Sequence, residues 1–292
     1  MLDKQTIIND FRNEADKRLF MLDEGMTHKE KASALNVCVT THYSEEIERV
    51  IAMTPSRTER LEAILTIMYS GYVVMLEYRN KVWPYEYMAF SRRIGEIWEP
   101  FCKLPFIYPT TVIEQFQPPT FSEIESSMRQ EIRDYIESLD INGHQKEHLV
   151  SLYQKVWGMV DSGSVSLKLD LHIIHQLTRY NIDYKSGFSS NEKGNTNRLL
   201  LVGSIYSALS DNYKNLIFVR QEEDENNHYL KTLSNSPFWE VYCAGQAYQK
   251  IEELSGFNLK AWMESNINWQ QDFENDFSRY LIDQELIRYL TW

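Results

Sequence analysis

The sequence predicts a mixed α/β protein of the α+β kind, with a mixed sheet flanked by helices and a large helical N-terminal region. Good helix formers, with charged positions at helical spacing, run through the first half of the chain. Near residue 164 the pattern changes to strand-like and helix-like segments in alternation. Among 292 residues, 43% are apolar and 13% are aromatic, which is typical of a globular protein with a sizeable core.

Residues 1–142 are predicted to form the helical region. Their longest apolar run, 63–76, contains serine, glycine and two tyrosines and is flanked by glutamates. It is therefore too short and too polar at its edges to span a bilayer, and it predicts a buried helix. Further along, Ser122 followed by Glu125 predicts a capping box at a helix start.

Residues 143–292 are predicted to contain the sheet and a helical, aromatic-rich tail. Apolar periodicity and turn residues indicate the order of the elements before that tail. They are a helix over about 144–160, strands at about 164–174 and 179–186, a helix from Asn197 to about Asp211, a strand at 216–220, a short helix near 228–233, a strand at 239–243 and a helix over 246–254 ending at Gly256.

The first predicted strand has one apolar face and one polar face, because successive side chains point to opposite sides of a sheet. The apolar face is Val165, Leu167, Leu169, Leu171 and Ile173, and the polar face is Ser164, Ser166, Lys168, Asp170 and His172. On the second strand, Asp183 and Lys185 share a face. Two carboxylates and an ammonium are therefore expected to converge at one surface of the sheet.

Asp183-Tyr184-Lys185 is the only Asp/Glu-x-Lys triplet in the chain. The order helix, strand, strand with Asp-x-Lys, helix, strand resembles the core of the PD-(D/E)XK nucleases, and particularly that of type II restriction endonucleases. The resemblance covers roughly residues 143–245 and implies a restriction-endonuclease-like mixed sheet. Leu169 stands where the family name has proline, a departure that bears on which acid is the first metal ligand.

The resemblance implies a Mg²⁺ cofactor and a catalytic set of Asp170, Asp183 and Lys185. Asp170 and Asp183 would bind the metal together with the backbone carbonyl of Tyr184, and Lys185 would hold the attacking water. Glu147, on the preceding helix, is a possible additional metal ligand, with a solvated helix charge as the alternative. Magnesium prefers hard oxygen ligands. Phosphodiester hydrolysis is accelerated mainly by positioning the attacking water and by stabilising the charge that develops in the transition state.

A polar, glycine-containing segment, 189–198, follows the triplet and is predicted to be a loop that contacts DNA. Asparagine can pair with adenine and arginine with guanine, and either side chain can contact phosphates. The alternative is an ordinary loop that ends in a helix cap. The DNA-contact hypothesis names Asn191, Lys193, Asn195, Asn197 and Arg198.

Charge and cysteine content bear on partners and compartment. The net charge of −12 counts against nucleic-acid binding. However, residues 163–220 hold seven basic and four acidic side chains, so the segment with the candidate site is locally basic. Three scattered cysteines fit a reducing cytoplasm and exclude a cysteine-based zinc cluster. The N-terminus shows no signal-peptide pattern, and neither a signal peptide nor a membrane partner is expected.

The resemblance thus implies a magnesium-dependent, sequence-specific endonuclease for double-stranded DNA that leaves 5′-phosphate and 3′-hydroxyl ends. The resemblance further implies a cytoplasmic homodimer and a cognate DNA methyltransferase as genetic partner. One alternative is a non-catalytic helical module that binds DNA or protein, in which Asp183 and Lys185 form a structural ion pair. A third hypothesis is a metal-dependent hydrolase for RNA or another phosphoester.

Overall fold

The computed structural model describes residues 3–160, 165–189, 192–210 and 212–292, with the side chains of 156–160 left out. Within these residues the fold is mixed α/β and mostly helical, as predicted. The helices are α1 Lys4–Phe20, α2 His28–Met53, α3 Arg57–Val82, α4 Tyr87–Ile107, α5 Phe121–Ser138, α6 Gly143–Val160, α7 Lys193–Leu209, α8 His228–Ser234, α9 Ala244–Ser255, α10 Leu259–Asn266, α11 Trp269–Asp272 and α12 Asn275–Asp283. The strands are β1 Glu114–Gln115, β2 Leu171–His175, β3 Thr178–Lys185, β4 Tyr213–Val219 and β5 Glu240–Cys243.

The strands form one mixed sheet in the order β1-β2-β3-β4-β5. β1, β2 and β3 are antiparallel neighbours, and the β2–β3 register pairs Leu171 with Ile182. β3, β4 and β5 are parallel, with α7 and α8 in the two crossovers. Parallel neighbours need such crossovers because a short hairpin cannot return the chain to the starting edge. The sheet and its helices match the predicted order, whereas β1 was not predicted.

One face of the sheet packs on the helical N-terminal region. Its apolar side chains, including Ile173, Ile182 and Phe218, belong to a cluster that also contains residues of α1–α4 and α9–α12. Tyr184 points to this side, where its ring meets Trp98 of α4 edge-on at 5.8 Å between centroids. The proposed division into residues 1–142 and 143–292 stays a prediction, and this apolar cluster crosses it.

α7 covers the opposite face, the one that carries Asp183. Leu199, Val202 and Tyr206 pack with the β4 side chains Ile217 and Val219 in a second apolar cluster. α7 also lies very close to the chain entering β5. A Cβ at position 203, glycine here, would lie 2.4 Å from the indole nitrogen of Trp239.

The chain changes face at Asp170, which contradicts the single apolar face predicted for the first strand. Leu167 and Leu169 pack in the α7-side cluster, whereas Leu171 and Ile173 pack in the other cluster. No strand is formed over 165–169, and β2 begins at Leu171. Tyr206 of α7 holds this segment by donating from its hydroxyl to the carbonyl of Leu167, at 2.9 Å. Ser164 lies outside the described residues.

The interpretation of residues 63–76 as a buried helix is confirmed. They lie in α3, which is long and apolar enough to cross a membrane by length and composition. However, 83% of its most apolar 18-residue window is buried inside the protein.

Two helix boundaries illustrate local capping. The predicted capping box at Ser122 and Glu125 is wrong by two residues, because Thr120 and Glu123 form the reciprocal hydrogen bonds that open α5. α9 ends as predicted at Gly256, whose φ of +70° is a left-handed conformation that glycine adopts without steric cost.

Candidate active site

Asp170 and Asp183 lie at the open end of the β2–β3 hairpin, where β2 begins and β3 ends. The register that pairs Leu171 with Ile182 puts Asp170 opposite Asp183 when it is extended by one residue. Asp170 is half-buried, and its Oδ2 accepts a hydrogen bond from the backbone N–H of Tyr184 at 2.8 Å. The strand that carries Asp183 thus also fixes the carboxylate of Asp170.

Lys185 completes the predicted set at the carboxyl end of β3. Its ammonium forms an ion pair with Oδ2 of Asp183 and donates to the backbone carbonyl of Tyr184 at 3.2 Å. The Lys185 side chain retains 18% of its exposure, so its charge lies at the mouth of the site. Asp170, Asp183, Lys185 and the Tyr184 carbonyl therefore form one cluster.

Asp183 is far more buried than a position on an open sheet surface would be. It is only 1% exposed. Burial is the main cause that raises the pKa of Asp183 to about 6, and the negative charge of Asp170 adds to it, while Lys185 and Arg198 act in the opposite direction. A carboxylate with a perturbed pKa beside a second carboxylate and a lysine is typical of functional sites.

Arg198 is the second cation at Asp183. It projects from α7, and its Nη2 lies 3.6 Å from Oδ1 of Asp183, on the side of the carboxylate that Lys185 leaves free. The sequence hypothesis gave Arg198 to a DNA-contacting loop and did not connect it with Asp183. The connection depends on how α7 packs on the sheet, which local sequence does not encode.

The rest of the predicted loop is largely helical, which corrects that prediction. α7 begins at Lys193, four residues earlier than expected, so Lys193, Asn195 and Asn197 lie in its first turns. Lys193 and Asn197 are exposed, and the Asn195 amide donates to Glu192 at 3.0 Å. Asn191 lies outside the described residues.

Glu147 makes no hydrogen bond or ion pair with the Asp170–Asp183–Lys185 cluster among the described residues. It is exposed on α6. The alternative interpretation, a solvated helix charge, accounts for this placement.

A buried polar row on the same face of the sheet was not predicted as a unit. His172 Nε2 accepts from the backbone N–H of Leu169 at 3.0 Å, and its Nδ1 lies 2.8 Å from Oδ1 of Asn181. Asn181 in turn donates to Asn215 of β4 at 2.9 Å. Burial lowers the pKa of His172, which keeps the ring neutral with its proton on Nδ1. The sequence signal for this row is the strand alternation that places His172 on the same face as Asp170.

The donor set fits a hard divalent cation. Two carboxylates and a backbone carbonyl are oxygen ligands of the kind that Mg²⁺ prefers. Oδ2 of Asp183 is buried, and the Lys185 ammonium is its partner. A cation between Asp170 and Asp183 would also relieve the repulsion that raises the pKa of Asp183.

A second group of possible ligands lies on the N-terminal helices. One ligand atom each from Asp10, His42 and Glu46 lie within 4.8 Å of one another. His42 already pairs with Asp10 at 2.8 Å, and Arg49 pairs with Glu46. The group is therefore explained by one ion pair between α1 and α2 and one within α2, and we assign no metal to it.

The chain matches no protein-family model, no curated protein and no solved structure. We therefore infer its function from the residues of the site.

Proposed function

We propose that this protein is a magnesium-dependent, sequence-specific endonuclease for double-stranded DNA, of the type II restriction kind. One observation carries the proposal. Asp170, Asp183 and Lys185 lie together at the carboxyl end of β3, and the two carboxylates are close enough for the charge of Asp170 to raise the pKa of Asp183. A restriction-endonuclease-like fold is part of the proposal. The antiparallel β2–β3 hairpin, followed through α7 by the parallel strand β4, supports it.

Each residue would have a distinct role in hydrolysis. Asp170, Asp183 and the Tyr184 carbonyl would hold Mg²⁺, which when bound supplies positive charge to offset the charge that develops at phosphorus. Lys185 would orient the attacking water with its ammonium. The water oxygen would bond to phosphorus as the water gives up a proton to solvent, the bond from phosphorus to O3′ would break, and O3′ would take a proton from solvent, which leaves 5′-phosphate and 3′-hydroxyl ends.

DNA is the substrate class that the surroundings of the site favour. Arg198 contacts Asp183 from α7, Lys193 is the first residue of the same helix, and residues 163–220 are basic in a chain whose net charge is −12. Lys193, Asn195, Asn197 and Arg198 are the proposed DNA contacts of the described residues, and Asn191 belongs to the same proposal. A cytoplasmic homodimer with a cognate DNA methyltransferase as genetic partner completes it.

The rival function is a non-catalytic helical module that binds DNA or protein. The ion pair between Asp183 and Lys185 favours it, because such a pair is what a purely structural role would need. The two functions make opposite predictions for the same protein in magnesium.

Digestion of phage DNA by the purified protein in Mg²⁺ distinguishes these functions. Discrete bands with 5′-phosphate ends support the proposal, and a smear indicates a nonspecific nuclease instead. Intact DNA over a range of magnesium and enzyme concentrations favours the binding module. A parallel digestion of RNA tests the third hypothesis.

A further inference from the structure

Arg198 contacts the candidate site through an ion pair, and within the part of the chain that the structure describes its guanidinium donates no hydrogen bond. Among the described residues, its polar contact is the ion pair with Asp183 at 3.6 Å, which is too long for a hydrogen bond. Its side chain is 35% exposed, which leaves the guanidinium at the edge of the site. A guanidinium offers five N–H donors in a planar fork that matches the oxygens of a phosphate.

The charges around Asp183 balance before any cation binds. Asp170 and Asp183 are opposed by Lys185 and Arg198, and both cations engage Asp183 from different sides. A divalent cation that takes over the carboxylates would compete with Lys185 and Arg198 for Asp183. It would also change the net charge of this group of four side chains from zero to about +2.

We infer that Arg198 is a phosphate-binding residue that Asp183 holds until a divalent cation binds, so that metal binding releases it toward the DNA backbone. This inference rests on the proposed nuclease function and deepens it, because it couples DNA affinity to metal binding. It also assigns Arg198 to a phosphate near the cleavage point. The guanidinium of Arg198 lies beside Asp183, the proposed metal ligand, and is therefore close to where the scissile phosphate would bind.

The coupling predicts opposite effects of Arg198→Ala on two affinities. Without DNA, the variant should bind Mn²⁺ more tightly, roughly threefold to tenfold, because a competing positive charge has been removed. With Ca²⁺ present, it should bind a short fluorescein-labelled duplex roughly tenfold to a hundredfold more weakly, the range for a lost hydrogen bond to a charged group. In EDTA the loss of duplex affinity should stay within about twofold, because Arg198 is then engaged with Asp183.

Titration calorimetry with Mn²⁺ and fluorescence anisotropy at several salt concentrations measure these affinities. The slope of log affinity against log salt should fall by about one for Arg198→Ala in Ca²⁺ and stay unchanged in EDTA. Arg198→Lys keeps the charge and is the substitution least disturbing to folding. It should keep the salt slope while losing part of the affinity in Ca²⁺. Arg179→Ala, at the opposite end of β3 and exposed, is the matched control and should alter neither affinity.

The outcomes separate this inference from the function on which it rests. Wild-type protein that binds neither Mn²⁺ nor the duplex overturns the nuclease proposal and the role of Arg198 together. If wild type binds both, equal losses for Arg198→Ala in Ca²⁺ and EDTA, or no loss in either, overturn the role of Arg198 alone. A loss confined to Ca²⁺, with tighter Mn²⁺ binding, supports it.

Discussion

The carboxylate of Asp170 is held by the backbone of Tyr184, whose N–H donates to Oδ2 at 2.8 Å. Tyr184 lies between Asp183 and Lys185 in the chain, so β3 positions three charged groups of the candidate site: Asp170, Asp183 and Lys185. The relative placement of the two carboxylates therefore depends on the register of the β2–β3 hairpin.

Replacing Asp170 by Asn should lower the pKa of Asp183 from about 6, because the negative charge of Asp170 contributes to raising it. The amide oxygen of the variant can still accept from Tyr184, so the fold should survive. Carboxyl chemical shifts followed by NMR across pH 4–8 measure this pKa without any metal or DNA. Asp134→Asn, on exposed α5, is the control. An unchanged Asp183 pKa would show that the two carboxylates do not interact.

Replacing Asp183 by Asn should stabilise the protein above pH 7. The pKa of Asp183 is raised in the folded state, so the folded protein binds more protons than the unfolded chain between about pH 4 and 6. The stability that this group contributes is therefore present in acid and lost as pH rises through about 6. At pH 8 the variant should gain about 1–3 kcal/mol in free energy of unfolding, and at pH 4 almost nothing.

Urea denaturation of Asp183→Asn and wild type at both pH values makes that comparison. Lys185 and Arg198 lose a carboxylate in the variant, but both side chains are partly exposed and can be hydrated. A variant less stable than wild type at pH 8 would mean that the ion pairs outweigh the burial of the charge. A structural role for the Asp183–Lys185 pair would then be favoured.

The Asp-x-Lys cluster was predictable because its geometry is local to one strand. Alternation correctly placed Asp183 with Lys185 and aligned His172 with Asp170. The face change at Asp170 was not predictable from alternation, because Leu167 and Leu169 continue the same apolar pattern while they pack under Tyr206 of α7.

Non-local packing accounts for most of what the sequence did not reveal. α7 begins at Lys193 without a side-chain cap, so the sequence carries no capping signal at its start, and the polar composition of this segment predicts a loop instead. The burial of Asp183 and its contact with Arg198 follow from α7 lying on the sheet. β1 is two residues long and pairs with a distant strand, too short for any periodic pattern.

Replacing Asn181 by Leu should destabilise the fold by about 2–4 kcal/mol, because two buried partners lose their hydrogen bonds. Asn181 is fully buried between His172 and Asn215 and bonds to both. Thermal and urea denaturation measure the loss. Asn197→Leu on exposed α7 should change stability by no more than about 0.5 kcal/mol. Equal effects of the two substitutions would refute the buried polar row.

Replacing Arg12 by Ala should cost about 3–5 kcal/mol, because it leaves a buried carboxylate without its main partner. Arg12 donates to both oxygens of the fully buried Glu77, at 3.0 and 2.7 Å, and to the carbonyl of Asp272 at 2.7 Å. These bonds join α1 to α3 and to the C-terminal helices. Burial raises the pKa of Glu77 and Arg12 opposes that effect, so the loss should be smaller at pH 5 than at pH 8.

Arg49→Ala is the matched control for Arg12→Ala. Arg49 also pairs with a glutamate, Glu46, but its side chain is 61% exposed. Such a pair is worth no more than about 0.5 kcal/mol on a helix surface. If both variants lose the same small amount of stability, the Arg12–Glu77 pair does not stabilise the packing of α1 on α3.

The most direct test of the proposed function is the rate of DNA cleavage by Lys185→Ala in Mg²⁺, with enzyme in excess over DNA. Lys214→Ala is the control, since Lys214 is basic, half-exposed and at the opposite end of the adjacent strand β4. Lys185→Ala should cleave at least about a hundredfold more slowly than wild type, because an ammonium that stabilises developing charge is lost. Lys214→Ala should cleave at the wild-type rate. Near wild-type cleavage by Lys185→Ala would contradict the assignment of the active site.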